Sequence, residues 1–305
     1  MEFSHLGLVN VALALRFRQP GWPDCLLSGG YLLHAVGVKI RLPDARIVHP
    51  DILASSPSRG IGLLIEVKSG PNLDHDQLGR MRSVSPTELR EHAYIQVNDP
   101  DTFKIGVLYL CNTVHSDSIE KAVDGQATVL GFDGRKFQLA GCQLPDDELA
   151  KALTNASVAS DHQPLGIVPF DDESTDSEVA THVVPAVVAA LVRGEGQLSV
   201  DGILHETHRL CCDVMQSTGA GSELRGIRRK ASFVLRTAAT EDFSPWLKQV
   251  ERQPIYRFRK ALSADRAQRT RELKSLQKLG RSLFERLGGD VQLHLALPDL
   301  DEGDE

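Results

Sequence analysis

The chain has 305 residues, 41% of them hydrophobic, with 34 Lys and Arg against 41 Asp and Glu for a net charge of −7. That is enough apolar residue for one large or two moderate cores in a soluble globular protein. No run of about 18 apolar residues and no basic start followed by a small-residue cleavage site is read in the sequence, from which a cytoplasmic protein is expected.

In chain order, the apolar periodicity predicts a helix over 3–16, then strands near 37–41, 46–53 and 61–68. Helices are expected from about Asp74 and over 86–95, a strand over 103–111, a helix over 116–123, strands over 127–132 and 136–140, and a helix over 146–153. Such alternation is that of an α/β domain with a mixed central sheet, occupying residues 1–155. Residues 156–177 turn rich in Ser, Asp and Pro and read as a linker with one apolar patch near 165–170.

The second half has its own rhythm. A helix over 178–193, begun or interrupted by Pro185, ends at Gly194. A short extended piece at 197–200 precedes a helix from Asp201, and Ser222 is placed to cap a third helix to about Ala238. On that third helix Leu224, Ile227, Ala231, Val234 and Leu235 form one stripe, with Arg225, Arg228, Arg229 and Arg236 on the other faces. Two strands, 246–250 and 255–259, follow, so that 178–262 form a small α+β domain. A helix over 263–289 comes next, then an acidic tail over 290–305. The last helix spaces its Leu residues by three and four, a seam that suits packing on the hairpin or pairing with a second copy as a homodimer.

The charge is unevenly spread. Residues 201–287 hold 18 Lys and Arg against 10 Asp and Glu, while 290–305 hold six acidic residues and no basic one. A basic segment inside an acidic chain is a local electrostatic footprint for nucleic acid that the whole-chain sum conceals.

Candidate chemistry centres on residues 49–70. In a strand over 61–68, alternate side chains share a face, so Glu66 and Lys68 point one way and Ile65 and Val67 the other. A turn over 55–60 would fold the preceding strand back and bring Asp51 across from them. Two carboxylates that close together repel unless a hard cation such as Mg²⁺ or Mn²⁺ sits between them, and an ammonium beside them can orient a water and neutralise a phosphate. Asp24 and Asp44, also preceded by Pro, read as turn residues. The five cysteines (Cys25, Cys111, Cys142, Cys211, Cys212) are scattered and lack a CxxC pair, as reduced thiols do. His205, His208, Cys211 and Cys212 crowd one helix, but a tetrahedral zinc site draws on two elements, so packing is the favoured reading.

Pro50-Asp51, a spacer and Glu66-Val67-Lys68 resemble the PD-(D/E)XK restriction-endonuclease-like nucleases. The resemblance covers the first half of the chain and implies a mixed sheet of restriction-endonuclease-like type, with Asp51 and Glu66 as metal ligands and Lys68 as a catalytic residue. It also gives a role to a Gln on the following helix, for which Gln77 is placed, and to a Glu on the preceding helix, which is lacking here. The second half resembles, in its order of elements, a winged helix-turn-helix. On that resemblance the third helix enters a groove, with Arg225, Arg228, Arg229 and Arg236 at its surface. The hairpin, with Lys248, Arg252, Arg257 and Arg259, lies along phosphates. The reading that follows is a Mg²⁺-dependent DNA endonuclease, RNA remaining open as substrate. By family analogy it would act in restriction or anti-phage defence with partner proteins of such a system. The alternative is a non-catalytic DNA-binding or assembly protein on a degenerate nuclease-like scaffold.

Overall fold

The computed structural model describes residues 2–93, 95–141, 143–159, 166–210, 223–251 and 253–289. They fall into two units, one running through Val168 and one beginning at Pro169.

The first unit opens with α1 (His5–Ala14), whose N-cap Ser4 accepts from Gly7 N–H. This helix is apolar nearly all round and is buried from Leu8 onward, as a helix without a polar face must be. Its one buried amide, Asn10, is satisfied by exchanging hydrogen bonds with both main-chain groups of Val168. A short helix α2 (Cys25–Ser28) leads into β1 (Leu32–Val36), β2 (Ile40–Arg41), β3 (Ile47–Val48), β4 (Ile52–Ser56) and β5 (Ile61–Lys68). Next come α3 (His75–Arg82), α4 (Pro86–Ala93), β6 (Lys104–Asn112), α5 (Thr113–Val123), β7 (Thr128–Phe132), β8 (Phe137–Ala140) and α6 (Asp147–Thr154).

The main sheet has the order β1-β4-β5-β6-β7-β8. The first three strands form an antiparallel meander, β5 to β6 and β6 to β7 are parallel, and β8 returns antiparallel. Parallel neighbours need a crossover, supplied here by α3 with α4 and then by α5. One sheet face, with Leu53, Leu64, Tyr109 and Val129, packs against Leu78, Met81, Leu89 and Ile119 of those helices. The helix α1 packs on β5 and β6, so β5 is covered on both faces and every residue from Ile61 to Val67 is buried. The expected α/β class with a mixed sheet is the architecture found.

Two of the expected strands differ from the structure. Residues 46–53 are not one strand: β3 pairs with β2 in a separate small ribbon, and β4 starts afresh at Ile52 in the main sheet. The break falls at Pro50, which has no N–H for a ladder. The strand expected near 37–41 is also shorter, because Gly37 at φ +68° closes β1 and only Ile40–Arg41 remain extended.

The second unit contains α7 (Asp176–Val192), β9 (Gln197–Ser199), α8 (Val200–Thr207), α9 (Glu223–Thr240), β10 (Leu247–Gln249), β11 (Ile255–Phe258) and α10 (Arg266–Arg286). A capping box, Thr175 with Glu178, starts α7. The helix passes through Pro185 rather than beginning or stopping there. The three strands make one antiparallel sheet in the order β10-β11-β9. The stripe expected on α9 is buried: Leu224, Ile227, Ala231, Val234 and Leu235 face the core with Trp246, Tyr256, Leu276 and Phe284. Ala156 and Val158, assigned above to a linker, are buried in the first unit, where Ala156 O accepts from Phe137 N–H. The acidic tail from residue 290 lies outside the described residues.

Candidate active site

At the end of β5 the antiparallel ladder runs out of main-chain partners. Ile52 pairs with Ile65, so the residue opposite Val67 would be Pro50, which has left the strand. The Asp51 side chain takes over: its Oδ2 accepts from Val67 N–H at 2.6 Å, while its own carbonyl accepts from Gly37 N–H at 2.7 Å. A carboxylate is thus held at the strand end by the sheet itself.

Glu66 and Lys68 share the face turned toward α3, and Lys68 Nζ donates to Glu66 Oε1 at 2.9 Å. Asp74 caps α3 by accepting from Gln77 N–H, which fixes where Gln77 begins its turn. From there Gln77 Nε2 donates to His49 O at 3.0 Å and reaches Glu66 Oε2 at 3.4 Å, and Gln77 Oε1 accepts from Arg80 Nη2 at 3.0 Å. Lys68 and Gln77 therefore both converge on Glu66, and Asp51 is bonded to the residue between Glu66 and Lys68. Glu66 is 6% exposed, but the Asp51 and Lys68 side chains are each 23% exposed, so the cluster opens to solvent on one side.

Three contributing residues were not found by sequence reasoning. His5, in the first turn of α1, lies with Nε2 3.3 Å from Asp51 Oδ1. It stands where a first-helix Glu was sought and not found, and the signal was available: it is the one ionisable side chain in α1. Asn112, 1% exposed at the end of β6, accepts from Phe3 N–H at 2.7 Å and donates to Phe3 O and Ser69 O at 3.0 and 3.1 Å. It ties the segment before His5 to the segment after Lys68. Arg80 holds the Gln77 amide in the orientation that aims Nε2 at Glu66.

Burial, and then the nearby Asp51 charge, push the Glu66 carboxyl up to about 7, against the opposing pull of Lys68 and Gln77. Burial likewise raises the Tyr109 phenol, which neighbours Glu66 across the β5–β6 pairing. A carboxylate kept strained beside another carboxylate suits a cation, and the donors are hard oxygens, the type taken by Mg²⁺ or Mn²⁺ with waters in the remaining positions. Among the described residues, no group of three or more His, Cys, Asp or Glu is placed to hold a metal ion; Mg²⁺ is commonly bound through one or two carboxylates and waters.

In the second unit, Arg225, Arg229 and Arg236 are exposed on α9, and the Arg236 guanidinium lies 5.8 Å from the exposed Phe233 ring. Arg228 is partly buried and its Nε is paired with Asp201 Oδ1 at 2.7 Å. On the hairpin Lys248 stands directly across from Arg257, both exposed, with Arg259 exposed beyond. Arg252 lies outside the described residues. His208 is committed elsewhere: Nε2 donates to Phe170 O at 3.0 Å and Nδ1 is 2.9 Å from the Thr207 hydroxyl, while His205 is exposed and Cys211 and Cys212 lie outside the described residues.

Together these features define an α/β protein with a polar, partly open cluster at the end of its central strand. The chain belongs to the MJECL32 domain family, whose model matches residues 4–158 and so covers most of the first unit, with Asp51, Glu66, Lys68 and Gln77 inside it. No curated protein and no solved structure matches the chain. No helix among the described residues is long and apolar enough to cross a membrane.

Proposed function

We propose that the chain is a metal-dependent DNA endonuclease of the restriction-endonuclease-like type, with a winged-helix second unit that holds the substrate. The observation that carries this reading is the convergence of Lys68 and Gln77 on Glu66, beside an Asp51 locked to Val67 N–H. The order of elements agrees with it: a helix, a three-stranded meander, a helix bearing Gln77, and then a parallel strand. In the second unit the order helix, strand, two helices and hairpin, with exposed Arg on α9 and on the hairpin, supports groove and phosphate contact.

Asp51 and Glu66 would hold the cation, whose contribution when bound is to acidify a water and offset charge on the phosphate. Lys68, fixed on Glu66, is placed to orient that water and to neutralise a phosphate oxygen. Gln77 holds the second Glu66 oxygen, so that both carboxylate oxygens have set directions. His5 Nε2, 3.3 Å from Asp51 Oδ1, would hold that carboxylate from the first turn of α1.

The test is supercoiled plasmid incubated with purified protein and Mg²⁺. Nicked or linear product is expected from the wild type. Lys68→Ala should lose cutting by at least about 100-fold, the scale of a positioned acid–base group, while still shifting DNA in a gel. Cutting at the wild-type rate by Lys68→Ala would remove Lys68 from the site.

A further inference from the structure

Between α8 and α9 the second unit has an open surface cavity of about 430 Å³. Arg225, Arg228, Arg229 and Ser232 line it from α9, facing Val200 and Asp201 at the start of α8. The Arg228 and Arg229 guanidinium groups, of like charge, stand within one turn of each other, and Asp201 is the one carboxylate among the lining residues. Asp201 Oδ1 sits 2.7 Å from Arg228 Nε, occupying an edge that could otherwise take a phosphate oxygen. Both side chains of that pair are more than two-fifths exposed, so water screens it and little is lost on giving it up.

We propose that this cavity is a phosphate-binding site and that Asp201 is an internal competitor, masking Arg228 until a phosphate displaces it. The proposal rests on, and deepens, the reading of α9 as a nucleic-acid face, the phosphate being one of the backbone. A chain that neutralises part of its own arginine cluster binds loosely to any polyanion and tightly only where enough other contacts form to release the pair. Arg228 then makes its contact late, after the surrounding helix is seated.

The experiment measures anisotropy of a short labelled duplex with the full chain in EDTA, across a salt series, with calorimetry of tripolyphosphate as a second probe. Asp201→Asn should bind the duplex roughly eightfold tighter at about 0.1 M salt and steepen the log–log salt slope by about 0.9, the signature of one added phosphate contact. Arg229→Ala should weaken binding and make the slope shallower by about 0.9. In an Arg228→Ala background, Asp201→Asn should give no gain. Unchanged or weaker duplex binding by Asp201→Asn, or a gain that survives loss of Arg228, overturns the proposal. Should the wild type ignore duplex while tripolyphosphate shows the same Arg228-dependent gain, the cavity stands and the nucleic-acid reading of α9 falls. Silence with both probes removes the cavity as a site.

Discussion

Glu66→Gln in metal-free protein should stabilise the first unit at alkaline pH. The Glu66 carboxyl is raised from 4.5 to about 7 by burial and by Asp51, a difference of about 2.5 units. At about 1.36 kcal/mol per unit this is about 3 kcal/mol of cost to the folded state when the group is ionised. Because the folded state holds the proton more tightly, the contribution is fully present below pH 4.5, is lost as pH rises toward 7, and is flat above. Gln has the shape of the protonated acid and no titration, so its advantage should be absent near pH 4 and reach about 2–3 kcal/mol at pH 8, after Lys68 has lost its partner. For a unit of this size that is roughly 5–10 °C in Tm. Melting curves at pH 5 and pH 8 in EDTA give the comparison. Adding Mg²⁺ at pH 8 should raise the wild-type midpoint and leave Glu66→Gln where it was. A Gln variant that melts below wild type at pH 8 would show that Glu66 is not strained by its surroundings, and the argument for a cation between it and Asp51 would go with it.

Two further outcomes follow from other parts of the structure. Asn112→Ala strands Phe3 N–H, Phe3 O and Ser69 O. It should cost about 2–4 kcal/mol at the scale of buried groups left unpaired, and urea unfolding that shows less than about 1 kcal/mol would mean the clamp is dispensable. His208 is lowered from 6.5 to about 4 by burial, so the neutral ring stabilises the second unit above pH 6.5 and that stability is lost as pH falls toward 4. By pH 5 the loss should be about 2 kcal/mol. Trp246 fluorescence in a Trp22→Phe background reports it, and a midpoint that stays fixed from pH 7 to pH 5 would contradict it.

Much of the sheet was legible because its central strands are continuous apolar runs: β5, bounded by Gly60 and Ser69, and β6 and β7 fall where the periodicity puts them. The pair Glu66 and Lys68 was legible for the opposite reason, two charges at alternate positions where everything around them is apolar. Gln77 could be placed because Asp74 announces a helix start. What sequence did not disclose depends on contacts far apart along the chain. The Asn112 clamp on Phe3 spans 109 residues, and the His5–Asp51 contact joins the first helix to the start of β4. The first strand was missed because a bulge between Leu33 and Ala35 breaks its alternation. In the second unit the hydrophobic stripe of α9 was readable from its period, whereas the pairing of Arg228 with Asp201 brings together two helices whose approach no local pattern encodes.

The bond from Val67 to the Asp51 side chain gives that residue two employments. A relative lacking the proposed catalysis would still require an acceptor there to finish its sheet, and Asp or Asn would persist for architectural reasons alone. Lys68 has no such second duty, since among the described residues its ammonium is hydrogen-bonded to Glu66 alone. In surveying kindred chains, a Lys lost at the position of Lys68 beside a retained acid at Asp51 would therefore mark chains without the proposed activity, and the acid by itself would mark nothing.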